Sequence, residues 1–337
     1  METNLKVAAG LALAVAATVM ATAARAQNVT LSGWVHAAAT HMNNGTSPFG
    51  GGAGPLNAWS LGNDDSALVF RGTEDLGGGM RAQFFLDHRF NADTGTVRTA
   101  ATLTRPFWWS SWVGLDTPLG SIQLGRQAPL FSKVAFLADP SEWLGVSQVS
   151  ALHAPNLYAA NDLVRENNSV AYSTPRFGAW QAAIQAAANE GPVAGRELGL
   201  RFDYADGPIY AGLAFDTRSP PGAPADRLVI FTGSYDFGTV RPILSFSRSR
   251  VGGQSESNAY LLGGVIRLPG TSTLHLSWTD GHYPAAGVSG GAEIKKLGAQ
   301  YRYNLSKRTM LFSSVGSTLQ DNAKRTTGYD AGIRHNF

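Results

Sequence analysis

Met80-Arg81-Ala82-Gln83-Phe84-Phe85-Leu86-Asp87-His88-Arg89-Phe90 changes character at almost every step. Its even positions carry Met80, Ala82, Phe84, Leu86, His88 and Phe90, and its odd positions Arg81, Gln83, Phe85, Asp87 and Arg89. Successive side chains of a strand leave on opposite faces, so this run presents one mostly apolar face and one mostly polar face. The same period runs through Asn28–Ala37, where Val29, Leu31, Val35 and Ala37 oppose Thr30, Ser32, Trp34 and His36. It returns in Asn167–Ser173 and at the C-terminus, where Tyr329, Ala331, Ile333 and Phe337 oppose Asp330, Gly332, Arg334 and Asn336. A soluble sandwich also has alternating strands, so the period alone leaves a sandwich and a membrane barrel open.

The spacing of the breaks separates them. Short Gly/Pro/Asp/Asn turns fall at 73–79, 116–120, 174–178, 205–208, 236–238, 269–270 and 304–307. Longer polar connections lie near 43–63, 91–106, 128–165, 188–196, 218–226, 251–257, 281–292 and 318–325. Seven short turns alternating with eight long connections predict sixteen antiparallel strands. Short turns on one rim and long loops on the other characterise a transmembrane barrel, and a barrel of this size leaves an aqueous channel.

Composition agrees. The 337 residues include 39 glycines and no cysteine, with 15% charged and 44% hydrophobic residues, which is too apolar for a disordered chain. A net charge of +3 lacks the clustered basic excess of a nucleic-acid binder. Without cysteine there is no disulfide framework and no thiolate site. Residues 1–26 read as a signal peptide: Lys6, an apolar run over 7–21, then Ala24-Arg25-Ala26 as the cleavage pattern. An N-terminal membrane anchor is the alternative. The barrel then occupies 27–337, where no stretch reaches the roughly 18–20 apolar residues of a spanning helix. Only a closed barrel could cross a membrane with such a chain. Metalloprotease and P-loop patterns are absent. Gly287-Val288-Ser289-Gly290-Gly291 fits G-x-S-x-G but lies in a glycine-rich loop without the strand–turn–helix context that motif requires. No enzymatic activity, cofactor or metal is expected.

Several segments resemble the Gram-negative general porins of the Neisseria–Bordetella–Burkholderia type. Phe70-Arg71-Gly72-Thr73-Glu74-Asp75-Leu76-Gly77-Gly78-Gly79 is similar to their F-R-G-T-E-D-L-G-G-G hairpin, and Gly332-Ile333-Arg334-His335-Asn336-Phe337 to their G-L-R-H-x-F ending. Weaker likenesses are Val29–Gly33, Val113–Leu115 with Leu124–Gln127, Asn168–Pro175 and Leu305–Thr309. The resemblance implies a homotrimeric outer-membrane porin passing ions and small hydrophilic solutes, with the lipid bilayer and the outer-membrane assembly machinery as partners and no nucleic acid. It implies that Phe337 closes the last strand as the barrel's C-terminal signal. It also implies that the third loop, here about 128–165, folds back into the lumen. That loop is unusually apolar for a solvated one (Phe131, Val134, Phe136, Leu137, Trp143, Leu144), which packing against an inner wall explains, although contact with a neighbouring subunit would also do so.

Acids on the loop facing arginines on the wall would create a transverse field. Asp139 and Glu142 are the loop acids expected to face the lumen, with Asp162 and Glu166 flanking the return strand. Parity turns Arg71, Arg81, Arg89, Arg165 and Asp87 inward; Arg71 and Arg81 lie near the rim, and Arg126, beside Gly125, has no clear facing. The sequence departs from the family at Ala67 and Trp109, where arginines are common, and this apparent loss of charge weakens an inference of anion selectivity. The Trp108–Trp112 cluster is expected as an interface girdle or trimer contact ahead of a track for an amphipathic solute. A solute-specific channel and a non-conducting adhesin or structural barrel are the competing functions.

Overall fold

The computed structural model describes residues 28–43, 57–62, 66–97, 107–149, 165–188, 196–219, 222, 224–250, 256–283, 292–321 and 323–337. Residues 1–26, expected as a signal peptide, Asp162 and the Gly287–Gly291 match lie outside the described residues. The strands are β1 (Asn28–Met42), β2 (Trp59–Gly62), β3 (Ser66–Gly77), β4 (Met80–Phe90), β5 (Trp108–Thr117), β6 (Gly120–Gln127), β7 (Glu166–Ser173), β8 (Trp180–Ala187) and β9 (Arg196–Asp206). They continue with β10 (Ile209–Ser219), β11 (Asp226–Tyr235), β12 (Val240–Arg250), β13 (Ser257–Arg267), β14 (Ser272–Tyr283), β15 (Ala292–Asn304), β16 (Thr309–Gln320) and β17 (Thr326–Asn336). Among the described residues, a helix, α1 (Phe131–Ala138), lies between β6 and β7.

From β3 onward each strand pairs antiparallel with the next in sequence, and β1 pairs with β17 from Trp34↔Asn336 to Met42↔Gly328, which closes the sheet. β2 lies against Ala38–His41 and β3 against Asn28–Trp34 on the same edge of β1, so these two strands form one interrupted stave. The result is a closed barrel of sixteen staves. The connection expected over 43–63 is therefore shorter at its far end: Trp59 and Leu61 prolong the outward apolar alternation and convert 59–62 into strand.

All seven short turns join the pairs β3/β4, β5/β6, β7/β8, β9/β10, β11/β12, β13/β14 and β15/β16. In the first, Gly77, Gly78 and Gly79 all have positive φ (78°, 62° and 78°), a conformation other residues enter only at a steric cost. The register carries alternation all the way round. Val29, Leu31, Phe202, Phe215, Leu244, Tyr260, Leu276, Leu297, Tyr301, Leu311, Val315 and Ile333 are exposed on the outside. Thr232, Ser245, Ser247, Ser277, Thr279, Gln300, Ser314 and Asp330 are buried on the inside. A greasy exterior around a polar interior is the arrangement that lipid outside and water inside demand. Backbone pairs Phe337 N–H to Gly33 C=O (3.0 Å) and Gly33 N–H to Phe337 C=O (3.1 Å) extend the seam to the last residue.

Candidate functional site

The long connection after β6 turns into the barrel because its side chains are apolar. α1 lies against the inner faces of β9–β12. Phe131, Val134 and Ala135 form a buried cluster with Ala214, Leu228 and Ile230. Burying Phe131 and Val134 contributes about 1.5–3 kcal/mol each. Polar contacts fix the helix at both levels: Thr232 Oγ1 donates to Val134 C=O (2.9 Å), and Lys133 Nζ pairs with Asp203 (2.9 Å), which also binds Arg201 (2.8 Å). Burial lowers the Lys133 ammonium below its ordinary value despite this carboxylate.

From Asp139 the chain runs on along the wall to β17. His275 Nδ1 lies 2.6 Å from Pro140 C=O, Gln300 Nε2 donates to Leu144 C=O (2.8 Å), and Val146 N–H donates to Asp330 Oδ2 (2.6 Å). Glycines on the inner wall admit the loop backbone. A Cβ on Gly316 would stand 2.1 Å from Val146 O, and one on Gly298 2.3 Å from Ser147 O. Glycine inside a strand commonly marks such an approach of another backbone.

The two loop acids differ. Asp139, expected to face the lumen, is buried: Oδ1 accepts from Ser141 N–H (2.9 Å) and Ser141 O–H (2.7 Å), and Oδ2 from Val149 N–H (3.0 Å). It ties the loop to itself, because the segment bends back and leaves backbone donors that need an acceptor. Glu142 is half exposed and pairs with Arg302 Nη1 at 2.9 Å. Partial burial would raise its carboxyl, but the charge and hydrogen bond of Arg302 outweigh that and hold it below the usual glutamate value. Glu166 is buried opposite Gln127 at the root of the loop.

Across the lumen, the wall carries guanidinium groups laid on indole rings. Trp34 has Arg89 at 4.6 Å and Arg334 at 4.8 Å from its ring centre. Arg165 lies 5.0 Å from the centre of Trp109 and donates from Nε to Ser110 Oγ (2.7 Å). Asp87 pairs opposite Ser110 in the sheet and receives a two-pronged hold from Arg89 (2.7 and 2.9 Å). Only 1% of Asp87 is exposed, so its charge is spent on that arginine. Ala67 explains how Arg89 and Trp34 meet. The register puts it between them, opposite Trp34 on one side and Arg89 on the other, and it is fully buried beneath the contact.

The remaining expected positions sort by register. Arg71 points inward over Phe85 (5.2 Å), and Arg81 binds Asp116 (3.0 Å) beside the first short turns. Arg126 stands opposite Ser111, on the face away from the lumen, and donates to Asn167 Oδ1 (2.7 Å). Unbroken alternation along β6 sets both facings, with Ile122, Leu124 and Arg126 outward and Gln127 inward; the irregularity opposite, where Gly125 pairs Ser169 and Gln127 pairs Glu166, lies in β7. The tryptophan cluster is split by the bulge opposite Asp87/His88. Trp108 goes outward, edge-on to Phe70 (6.2 Å); Trp109 turns to Arg165; Trp112 goes inward and stacks on Phe85 (5.4 Å). A girdle therefore accounts for Trp108 alone, since a bulge shifts which side of the sheet the following residues take. Trp34, Arg302 and Arg334 belong to the same interior and were signalled only by their parity on polar faces.

A closed barrel with an apolar exterior, a polar and charged interior and residues 128–149 folded inside defines a channel of the bacterial outer membrane. The comparisons with known proteins agree. The family model described as Gram-negative porin matches residues 11–323. Outer membrane porin protein 32 of Delftia acidovorans is 31% identical, covering 94% of this chain and 96% of the relative. An outer membrane porin of Bordetella pertussis is 28% identical over 79% of this chain and 81% of its own length. The solved anion-selective porin from Comamonas acidovorans superposes with a TM-score of 0.76 at 25% identity, covering 93% of this chain and 100% of that one. OmpT of Vibrio cholerae, at 11% identity and a TM-score of 0.71, shares the fold. This chain belongs to the Gram-negative porin family and forms an outer-membrane channel for passive diffusion.

Proposed function

We propose that this channel prefers small anions, drawn through a constriction between the infolded loop and the wall of β1, β4, β5 and β17. The observation that carries this reading is the pair of guanidinium groups Arg165 and Arg334, held on Trp109 and Trp34 beside the Arg89–Asp87 ion pair, with Asp139 buried. Indole faces hold guanidinium planes in place, and positive charge so fixed along the wall attracts a passing carboxylate or phosphate. Glu142 supplies the opposite sign, tempered by Arg302. In a narrow passage with low-dielectric walls, such charges bias ions strongly. The similar porin from Comamonas acidovorans is anion-selective, which supports the same sign.

We further infer that residues 1–26 are a cleaved leader and that the working form is a homotrimer. The test is the reversal potential of the reconstituted protein under a salt gradient. Wild type is expected to favour chloride, and R89Q/R165Q/R334Q to lose that bias. A cation-selective wild type, or a triple variant with unchanged reversal potential, overturns the proposal. Bilayer current that rises in steps of three supports the trimer.

A further inference from the structure

We propose that Arg227, Arg248 and Arg250 form a binding site for a headgroup phosphate of an anionic lipid in the outer leaflet. The inference rests on the register of β11 and β12. Arg227 pairs directly opposite Arg250, and Arg248, two residues along, pairs opposite Val229. Alternation places all three on the outer face, because the residues between them, Leu228, Ser247 and Ser249, are the buried inward ones. Arg248 and Arg250 have 55% and 49% of their side chains exposed. No ion in the lumen can therefore reach this patch.

The depth is as specific as the face. One step further into the sheet on the same face lie Phe231, Phe246 and Tyr260, where Phe246 and Tyr260 meet with ring centres 5.1 Å apart. Aromatic rings of this kind sit at the boundary between acyl chains and headgroups. The arginines stand just beyond that boundary, at the end of β12 that leads into a long connection, hence on the outer rim.

Like charges directly opposite each other in a sheet destabilise it unless something neutralises them. Glu256 binds Arg248 and also Arg250 (3.2 Å), which leaves two of three positive charges uncompensated. Arg227 has no ion-pair partner among the described residues. Asn258, opposite Arg248, adds an amide donor. A phosphate monoester supplies two negative charges and several acceptor oxygens, and arginine matches it with paired donors. A lipid is the source that brings such a group to the outer face at this depth with its chains along Phe231, Phe246 and Tyr260.

The test uses the full barrel refolded in detergent, challenged with lipopolysaccharide, with the same lipid after enzymatic dephosphorylation, and with inorganic phosphate as competitor. Lipid retained through purification is counted by native mass spectrometry, and single-channel conductance is recorded on the same preparation. Wild type is expected to retain the phosphorylated lipid. R227Q should retain roughly fivefold less, and R227Q/R248Q/R250Q roughly a hundredfold less, from the contribution of each basic residue near a charged membrane surface. R308Q, on the opposite rim, should match wild type. Conductance should be unchanged throughout, which separates failure of this site from failure of the channel reading. Equal retention by wild type and both variants overturns the site. Equal retention of the dephosphorylated lipid, or its displacement by inorganic phosphate at equal phosphate concentration, overturns the lipid phosphate as occupant.

Discussion

Replacing Gly316 with alanine tests whether the third loop lies where the fold puts it. The new Cβ would stand 2.1 Å from Val146 O, roughly 1.3 Å inside the 3.4 Å at which ordinary contact begins. The atom in the way is backbone, so no rotamer relieves the clash, and the wall behind is a hydrogen-bonded stave. The loop must move toward the pore axis by about that distance. Doing so breaks the 2.6 Å bond from Val146 N–H to the Asp330 carboxylate. Overpacking costs about 1–3 kcal/mol and a hydrogen bond to a charged group about 1.5–3, so G316A should lose about 2.5–6 kcal/mol. Single-channel conductance should fall because the displaced backbone narrows the lumen. G298A, which crowds Ser147 O from the neighbouring stave at 2.3 Å, should act in the same direction. Gly233→Ala is the control: it points outward, and the nearest atom is a Phe231 ring carbon at 3.3 Å. Wild-type conductance and thermal midpoint in G316A would refute the placement of the loop, because no other contact could absorb that overlap unnoticed.

Acid should sharpen anion preference. Glu142 titrates below its reference value of 4.5, so its pair with Arg302 is complete at neutral pH and is lost as pH falls through that lowered value. Reversal potential should shift toward the anion only below about pH 4.5, and E142Q should show the shifted value at neutral pH and no further change. Trp34→Ala removes the platform shared by Arg89 and Arg334 and should cost about 1–4 kcal/mol from two cation–π contacts, read as a lower thermal midpoint with noisier open-channel current. Deleting Phe337 removes both backbone bonds to Gly33 and should lower the yield of folded barrel on assembly, read as the fraction showing heat-modifiable migration.

The alternation that predicted the barrel also predicted facing, since one buried register fixes every later side chain in a closed sheet. Asn28–Ala37 and Met80–Phe90 point as their parity requires. What parity could not reach were the places where the period slips. The extra residue at Trp109 turns a side chain across the sheet, whereas Arg126 faces outward as the alternation of β6 gives. Asp139 was illegible for a different reason: sequence shows that a loop carries an acid, but only the bend at Ser141 and Val149 shows that backbone donors take it up.

The loss of arginine at position 67 illustrates how a residue count misleads about a field. Arginine there would stand between Trp34 and Arg89, adding a charge while occupying the space in which those two meet. Alanine closes that space, Arg89 settles on Trp34, and Arg334 takes the same ring from the far side. Asp87 goes under Arg89 and contributes little to the lumen. The potential felt by a passing ion depends on where each charge is held and what it is paired with as much as on how many there are, and Trp34 fixes Arg334 and the Arg89–Asp87 pair in place where an added arginine would draw on the nearest acid. Restoring the charge with A67R should therefore raise anion preference less than R334Q lowers it, and a larger effect of A67R than of R334Q would show that simple charge number governs the pore.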